Sequence, residues 1–241
     1  MCNDVYLTLS ISKCYFGMEK ISYFGLVISK DKLKVNASKI INYNNWPRPI
    51  NKNNLSCLRG FLNFYSNYIP ILNDKLDKFT EGEWTKEKEK IYQEIFQNLI
   101  KSEMYFPTHK LPLIVNTDAS LLNIAMNVFQ EDNGTKKNVF NFSKRYPLNI
   151  NHSIPLKEVN AGTYFFESKR HFFQGFKIYW NLDAKSIALV KESLNNEKSP
   201  NRIDRRLVDS LFRISDLDIT IKSIPRTENV VTDTLTHLKK S

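Results

Sequence analysis

The chain has 241 residues, 41% hydrophobic and 25% charged, a globular balance that excludes a mostly disordered polymer and leaves room for one large or two small domains. Lys and Arg outnumber Asp and Glu by 35 to 25, and residues 1–110 and 111–241 share the excess (16 against 11, and 19 against 14), so polyanions are the expected partners of both halves. Three cysteines without a C-x-x-C pair, four histidines without paired ligand spacing and seven scattered glycines exclude a disulfide framework, a zinc site and a Gly-rich phosphate loop.

No apolar run approaches the roughly 18 residues of a spanning helix, which predicts a soluble, intracellular protein with no membrane partner. Residues 5–35 alternate as strands. Val5, Leu7 and Leu9 share one face, and Ile21, Tyr23 and Leu26 to Ile28 follow a turn at Gly17, so a small sheet or hairpin is expected. Asn36 suits the cap of a short helix through Tyr43, which Trp46-Pro47-Arg48-Pro49 must end. Leu55, Leu58, Leu62, Tyr65 and Ile69 recur at steps of three and four and predict a helix stopped by Pro70. A third helix is expected over 85–100, with Ile91, Ile95 and Leu99 inward and Lys and Glu outward.

From Leu111 the pattern turns strand-like, over 111–117, 123–130 and 138–143, with a turn at Asp132-Asn133-Gly134. A helix carrying Val159, Phe166 and Phe173 two turns apart closes at Gly175. A strand over 177–182, helices from Ser186 and over 203–214, a strand over 218–224 and a last helix over 230–238 complete an α/β domain with a mixed sheet.

Asp118, Glu158, Asp183 and Asp233 fall where these strands end or helices begin, the positions at which an α/β sheet gathers its ligands. Crowded carboxylates raise one another's pKa unless a cation compensates, and hard oxygen donors suit magnesium. Two such ions activate a water and stabilise the leaving oxygen of a phosphodiester. Four acids among 25 also fit surface charges, caps and ion pairs, and their positions alone leave both readings open.

Thr117-Asp118-Ala119-Ser120 with Gln130, Lys157-Glu158 with Ala161, Arg170 and Gly175, Leu182-Asp183-Ala184-Lys185-Ser186, and Asn229-Val230-Val231-Thr232-Asp233-Thr234-Leu235 follow one another in order. Together they resemble the RNase H domain of gypsy-type LTR retrotransposon Pol polyproteins. The first part carries the same likeness. Ser12-Lys13-Cys14, Phe24-Gly25, Asn45-Trp46-Pro47, the helix from Leu55 through Gly60, Phe64-Tyr65 and Tyr68-Ile69-Pro70, and then Trp84, resemble the segment after the polymerase palm. The sequence departs from the family at Ser66 and Asn67 (arginines there), Ala125 and Arg226 (glycines), Leu182 (threonine), Ala184 (histidine) and Arg206 (tryptophan).

The resemblance implies an end of the palm over 1–35, a helical thumb and connection over 36–110, and an RNase H-like domain over 111–241 with a mixed five-stranded sheet and flanking helices. It implies cleavage of the RNA strand of an RNA/DNA hybrid during reverse transcription, with two magnesium or manganese ions. Asp118 would bridge both ions, Glu158 and Asp183 would complete one ion's ligands, and Asp233 would be more peripheral. Lys144, Arg145, Lys169 and Arg170 are the candidate contacts to the hybrid backbone. Template RNA, an upstream palm and other Pol products are the implied partners, in the cytoplasm, virus-like particles or the nucleus. No adjacent Asp-Asp pair occurs, so the family's Tyr-x-Asp-Asp polymerase site is absent from this sequence. A catalytically silent retroelement remnant that at most binds nucleic acid is the alternative.

Overall fold

The computed structural model describes residues 10–69, 72–119, 123–146, 152–195 and 202–223. Among these residues no helix is long and apolar enough to cross a membrane.

Residues 20–105 build an antiparallel sheet and a helical layer around one core. Strands β1 (Lys20–Tyr23), β2 (Leu26–Ser29), β3 (Lys32–Val35) and β4 (Glu103–Tyr105) lie in sequence order in the sheet. A bend with positive φ at Gly17 (63°) precedes β1, as expected, and the hairpin between β1 and β2 turns at Phe24-Gly25, because both of these residues adopt positive φ (46° and 78°), the two-residue geometry that matches strand twist. A side chain at Gly25 would also collide with the Tyr65 hydroxyl. Helix α1 (Ala37–Asn44) starts at Asn36, whose side chain accepts from the Ser38 amide. Helix α2 (Lys52–Phe64) is capped by Asn51 and gives way at Tyr65 to a short 3-10 turn over Ser66–Tyr68. Helices α3 (Leu72–Asp77) and α4 (Lys86–Lys101) follow.

The expected stripe Leu55, Leu58, Leu62, Tyr65 and Ile69 is buried throughout and meets Tyr92, Ile95, Phe96 and Leu99 of α4. Val35 and Met104 belong to the same core, so the strands before residue 36 and the helices after it form one packing unit. The segment Trp46-Pro47-Arg48-Pro49 is pinned to α4 through Glu89. That carboxylate accepts from Arg48 (2.7 and 2.9 Å), the Trp84 indole (2.7 Å) and Gln93 (2.8 Å), which holds its pKa down to about 2.

The second unit is a five-stranded sheet ordered β7-β6-β5-β8-β9, formed by β5 (Leu113–Ala119), β6 (Asn123–Asp132), β7 (Thr135–Arg145), β8 (Ile178–Leu182) and β9 (Ile219–Ser223). The first three are antiparallel; β5, β8 and β9 are parallel. Helices α5 (Ile154–Ser168), α6 (Arg170–Phe173), α7 (Ala184–Asn195) and α8 (Arg202–Arg213) complete the expected α/β architecture with a mixed five-stranded sheet. The helix expected to run to Gly175 breaks at Lys169 into α5 and α6, yet Val159, Phe166 and Phe173 are all fully buried. The helix expected over 230–238 lies outside the described residues.

Helix α5 reaches the sheet through Gly162, which rests on the Trp180 indole; that ring in turn donates to Thr117 Oγ1 at 2.8 Å. A Cβ at Gly162 would overlap the indole. Ala gains about 1 kcal/mol of helix propensity over Gly, whereas forcing atoms into a packed core costs about 1–3 kcal/mol, so packing wins. Gly162→Ala should lower the urea midpoint of this unit, and an unchanged or raised midpoint would refute the close contact.

The two units meet along β7. Arg145 pairs with Asp77 at 2.5 Å, Asn141 donates to the Asn67 carbonyl at 3.2 Å, and Phe140 packs against both cores. The connecting segment is clamped by Gln130, whose side chain accepts from the Thr108 amide and donates to the Thr108 and Leu111 carbonyls.

Candidate active site

Strands β5 and β8 run parallel with Asn116 opposite Asn181. Two residues further on, Asp118 and Asp183 therefore emerge side by side at the carboxyl ends of neighbouring strands, on the same face. Beneath them the buried Asn181 side chain donates to Asn116 Oδ1 at 2.8 Å and braces the two strands at that level.

Glu158 comes from the second turn of α5, which Pro155 opens, and is almost wholly buried at 3% exposure. Its Oε1 accepts from the Asp183 amide at 3.3 Å and its Oε2 from the Ser186 hydroxyl at 2.5 Å. Asp183 caps α7, its Oδ1 accepting from the Ser186 amide at 2.7 Å. Asp118 Oδ1 accepts from the Ala119 amide at 2.8 Å. Burial pushes the Glu158 carboxyl up to about 8. The negative charges of Asp183 and Asp118 add to the rise, and the bonds from Ser186 and the Asp183 amide oppose it. Three of the four sequence-selected acids thus lie within electrostatic reach of one another; Asp233 lies outside the described residues.

The donors are hard carboxylate oxygens, which in chemistry fit a divalent ion of the magnesium class. Among the described residues no group of three His, Cys, Asp or Glu side chains closes into a metal-holding cluster, and both Glu158 oxygens are engaged by the β8–α7 junction. Asp118 and Asp183, at the open strand ends, are the groups best placed to receive an ion.

Lys144 donates to the Tyr164 hydroxyl at 2.6 Å and sits 4.4 Å from that ring's centre, on the exposed flank of α5. Arg145 is held by Asp77, and Arg170 by Asp216 and the Arg213 carbonyl, so both arginines serve packing contacts. Lys169 caps α5 and is exposed. Ser186 and the Asn116–Asn181 brace are the features that sequence reasoning missed. The spacing of Asp183 and Ser186, a capping acid with a hydroxyl three residues on, was the available signal.

No family model matches the chain. A Pol polyprotein described as retrovirus-related, from transposon 297 of Drosophila melanogaster, is 26% identical over 251 aligned residues, which take in 98% of this chain and 22% of that protein. The chain therefore spans about a fifth of the length of this curated relative. Among solved structures, foamy viral protease-reverse transcriptase in complex with dsDNA superposes with a TM-score of 0.63 at 17% identity, over 87% of this chain and 45% of that one. The same enzyme in complex with RNA/DNA hybrid gives 0.62 at 16% identity, over 92% and 31%. Along nearly its whole length the chain is thus similar to a part of that retrovirus-related Pol polyprotein, and its two-unit fold is similar to that of foamy viral protease-reverse transcriptase.

Proposed function

We propose that the second unit is a ribonuclease H that hydrolyses the RNA strand of an RNA/DNA hybrid, and that residues 36–110 are the thumb and connection that deliver the hybrid to it. The observation that carries this reading is the meeting of Asp118, Glu158 and Asp183 where two parallel strands end, with Glu158 desolvated beside two like charges. Structural ion pairs would neutralise such a group; here, among the described residues, it is carboxylate beside carboxylate, an arrangement suited to cations.

Asp118 and Asp183 would hold magnesium or manganese, with Glu158 behind them. Such ions, when bound, activate a water and stabilise the leaving oxygen. The chain's own share is positional. The Asn116–Asn181 brace fixes the spacing of the strand ends, and the buried flank of α5 keeps bulk water from Glu158. The net charge of +10 draws the polyanion in, and log affinity should fall linearly with log salt. Lys144 and Lys169, exposed on the α5 side, are proposed phosphate contacts, while Arg145 and Arg170 are proposed to act through the pairs that hold them. The whole polyprotein's partners, template RNA and a palm carrying the polymerase site, follow from the same reading, as does a place in the cytoplasm, virus-like particles or the nucleus.

The test is strand selectivity. With magnesium or manganese, the purified chain should cut labelled RNA in a hybrid and leave the DNA strand and double-stranded RNA intact. A well-folded chain that binds hybrid with the expected salt dependence but never cuts it would favour the silent remnant.

A further inference from the structure

Ser186 is fully buried in the first turn of α7 and touches two of the three carboxylates through different atoms. Its backbone amide donates to Asp183 Oδ1 at 2.7 Å, an ordinary helix cap that survives any change of side chain. Its hydroxyl donates to Glu158 Oε2 at 2.5 Å and lies 3.4 Å from the Pro155 carbonyl in the first turn of α5. The Asp183 amide closes the arrangement on Glu158 Oε1 at 3.3 Å. Glu158 has three rotatable side-chain bonds, and its carboxyl orientation is set from the β8–α7 junction. Only one of those two anchors is a side chain. Removing the Ser186 hydroxyl would free one oxygen of Glu158 while leaving the Asp183 cap in place.

We propose that Ser186 is a positioning residue of the candidate site, whose hydroxyl fixes the Glu158 carboxyl in register with Asp183 and Asp118. The inference deepens the nuclease reading and rests on it. Groups that orient a metal's ligands commonly change metal affinity or activity by about 10- to 100-fold when removed. The residue is fully buried and its hydroxyl is engaged by Glu158 and the Pro155 carbonyl, so binding of the hybrid should not depend on it.

The experiment is a manganese titration of the full chain, followed by electron paramagnetic resonance without nucleic acid, on the parent, Ser186→Ala, Glu158→Gln and the double variant, each checked for folding by circular dichroism. Ser186→Ala should weaken the tightest manganese binding about 10-fold, and in cleavage lower kcat while KM for hybrid stays. With Glu158→Gln already present, Ser186→Ala should change nothing further, because its effect passes through Glu158. Equal weakening in both backgrounds, or none in the parent, would overturn the proposal. Should Ser186→Ala fail to fold, Ser186→Cys keeps the shape with a poorer donor and should show a smaller loss of the same kind; no loss would count against the role. A parent that never cuts hybrid, yet shows the Ser186 dependence of manganese binding, would end the nuclease reading and keep this one.

Discussion

Asp118→Asn should abolish cleavage of the hybrid, by at least about 100-fold in kcat, while leaving hybrid affinity unchanged or tighter. The residue stands at the strand end beside Asp183 and contributes charge felt at Glu158. Asparagine keeps its shape and its ability to accept from the Ala119 amide, so the strand should survive. What disappears is one negative charge of the acids proposed to hold cations, a charge that would also repel an incoming phosphate. Relief of that repulsion should also make the ion-free protein slightly more stable, which separates a chemical defect from a folding one. Parent-like cleavage by Asp118→Asn would place the chemistry elsewhere.

Glu158 governs the second large effect, on stability against pH. Its folded pKa is raised from 4.5 to about 8, first by burial. In that window the folded state binds the extra proton, so stability must fall as pH rises. The contribution is complete below about pH 4.5 and is lost as pH climbs through about 8. In chelator-treated parent protein, urea unfolding should therefore show stability decreasing between pH 5 and 8, by on the order of 2–4 kcal/mol after allowing for relaxation. Glu158→Gln should flatten that slope and be the more stable protein at pH 8, although it loses cleavage. A parent profile that is flat, or that rises across this window, would show that Glu158 is not held neutral by its surroundings.

Where side chains repeat with the period of the element, the sequence announced the structure. Leu55 to Ile69 is a buried stripe, and Leu113, Val115, Thr117 and Ala119 alternate inward along β5. Short elements were illegible: β4 has three residues and α3 six, too few to establish a period, and each is held in place by partners distant in the chain. The asparagines at 116, 127, 141 and 181 interrupt the apolar pattern of their strands and carry no local signal, yet the register sets them in one row across the sheet, next to the acids. The acids themselves were visible through their motifs. The fate of the arginines was not, because Arg145 finds Asp77 68 residues away, in the other unit. Ser186 was visible as a helix start and as the end of a motif, but its hold on Glu158 was not, since that contact joins α5 to the first turn of α7, 28 residues apart in the chain.

The most direct measurement is the anomalous signal of manganese in crystals of the full chain grown with an uncleaved RNA/DNA hybrid. The carboxylate cluster should show manganese between Asp118 and Asp183, with the RNA strand's phosphate rather than the DNA strand's against it. Manganese bound only at other acids, or hybrid seated away from the ends of β5 and β8, would contradict the assignment of these carboxylates to cleavage.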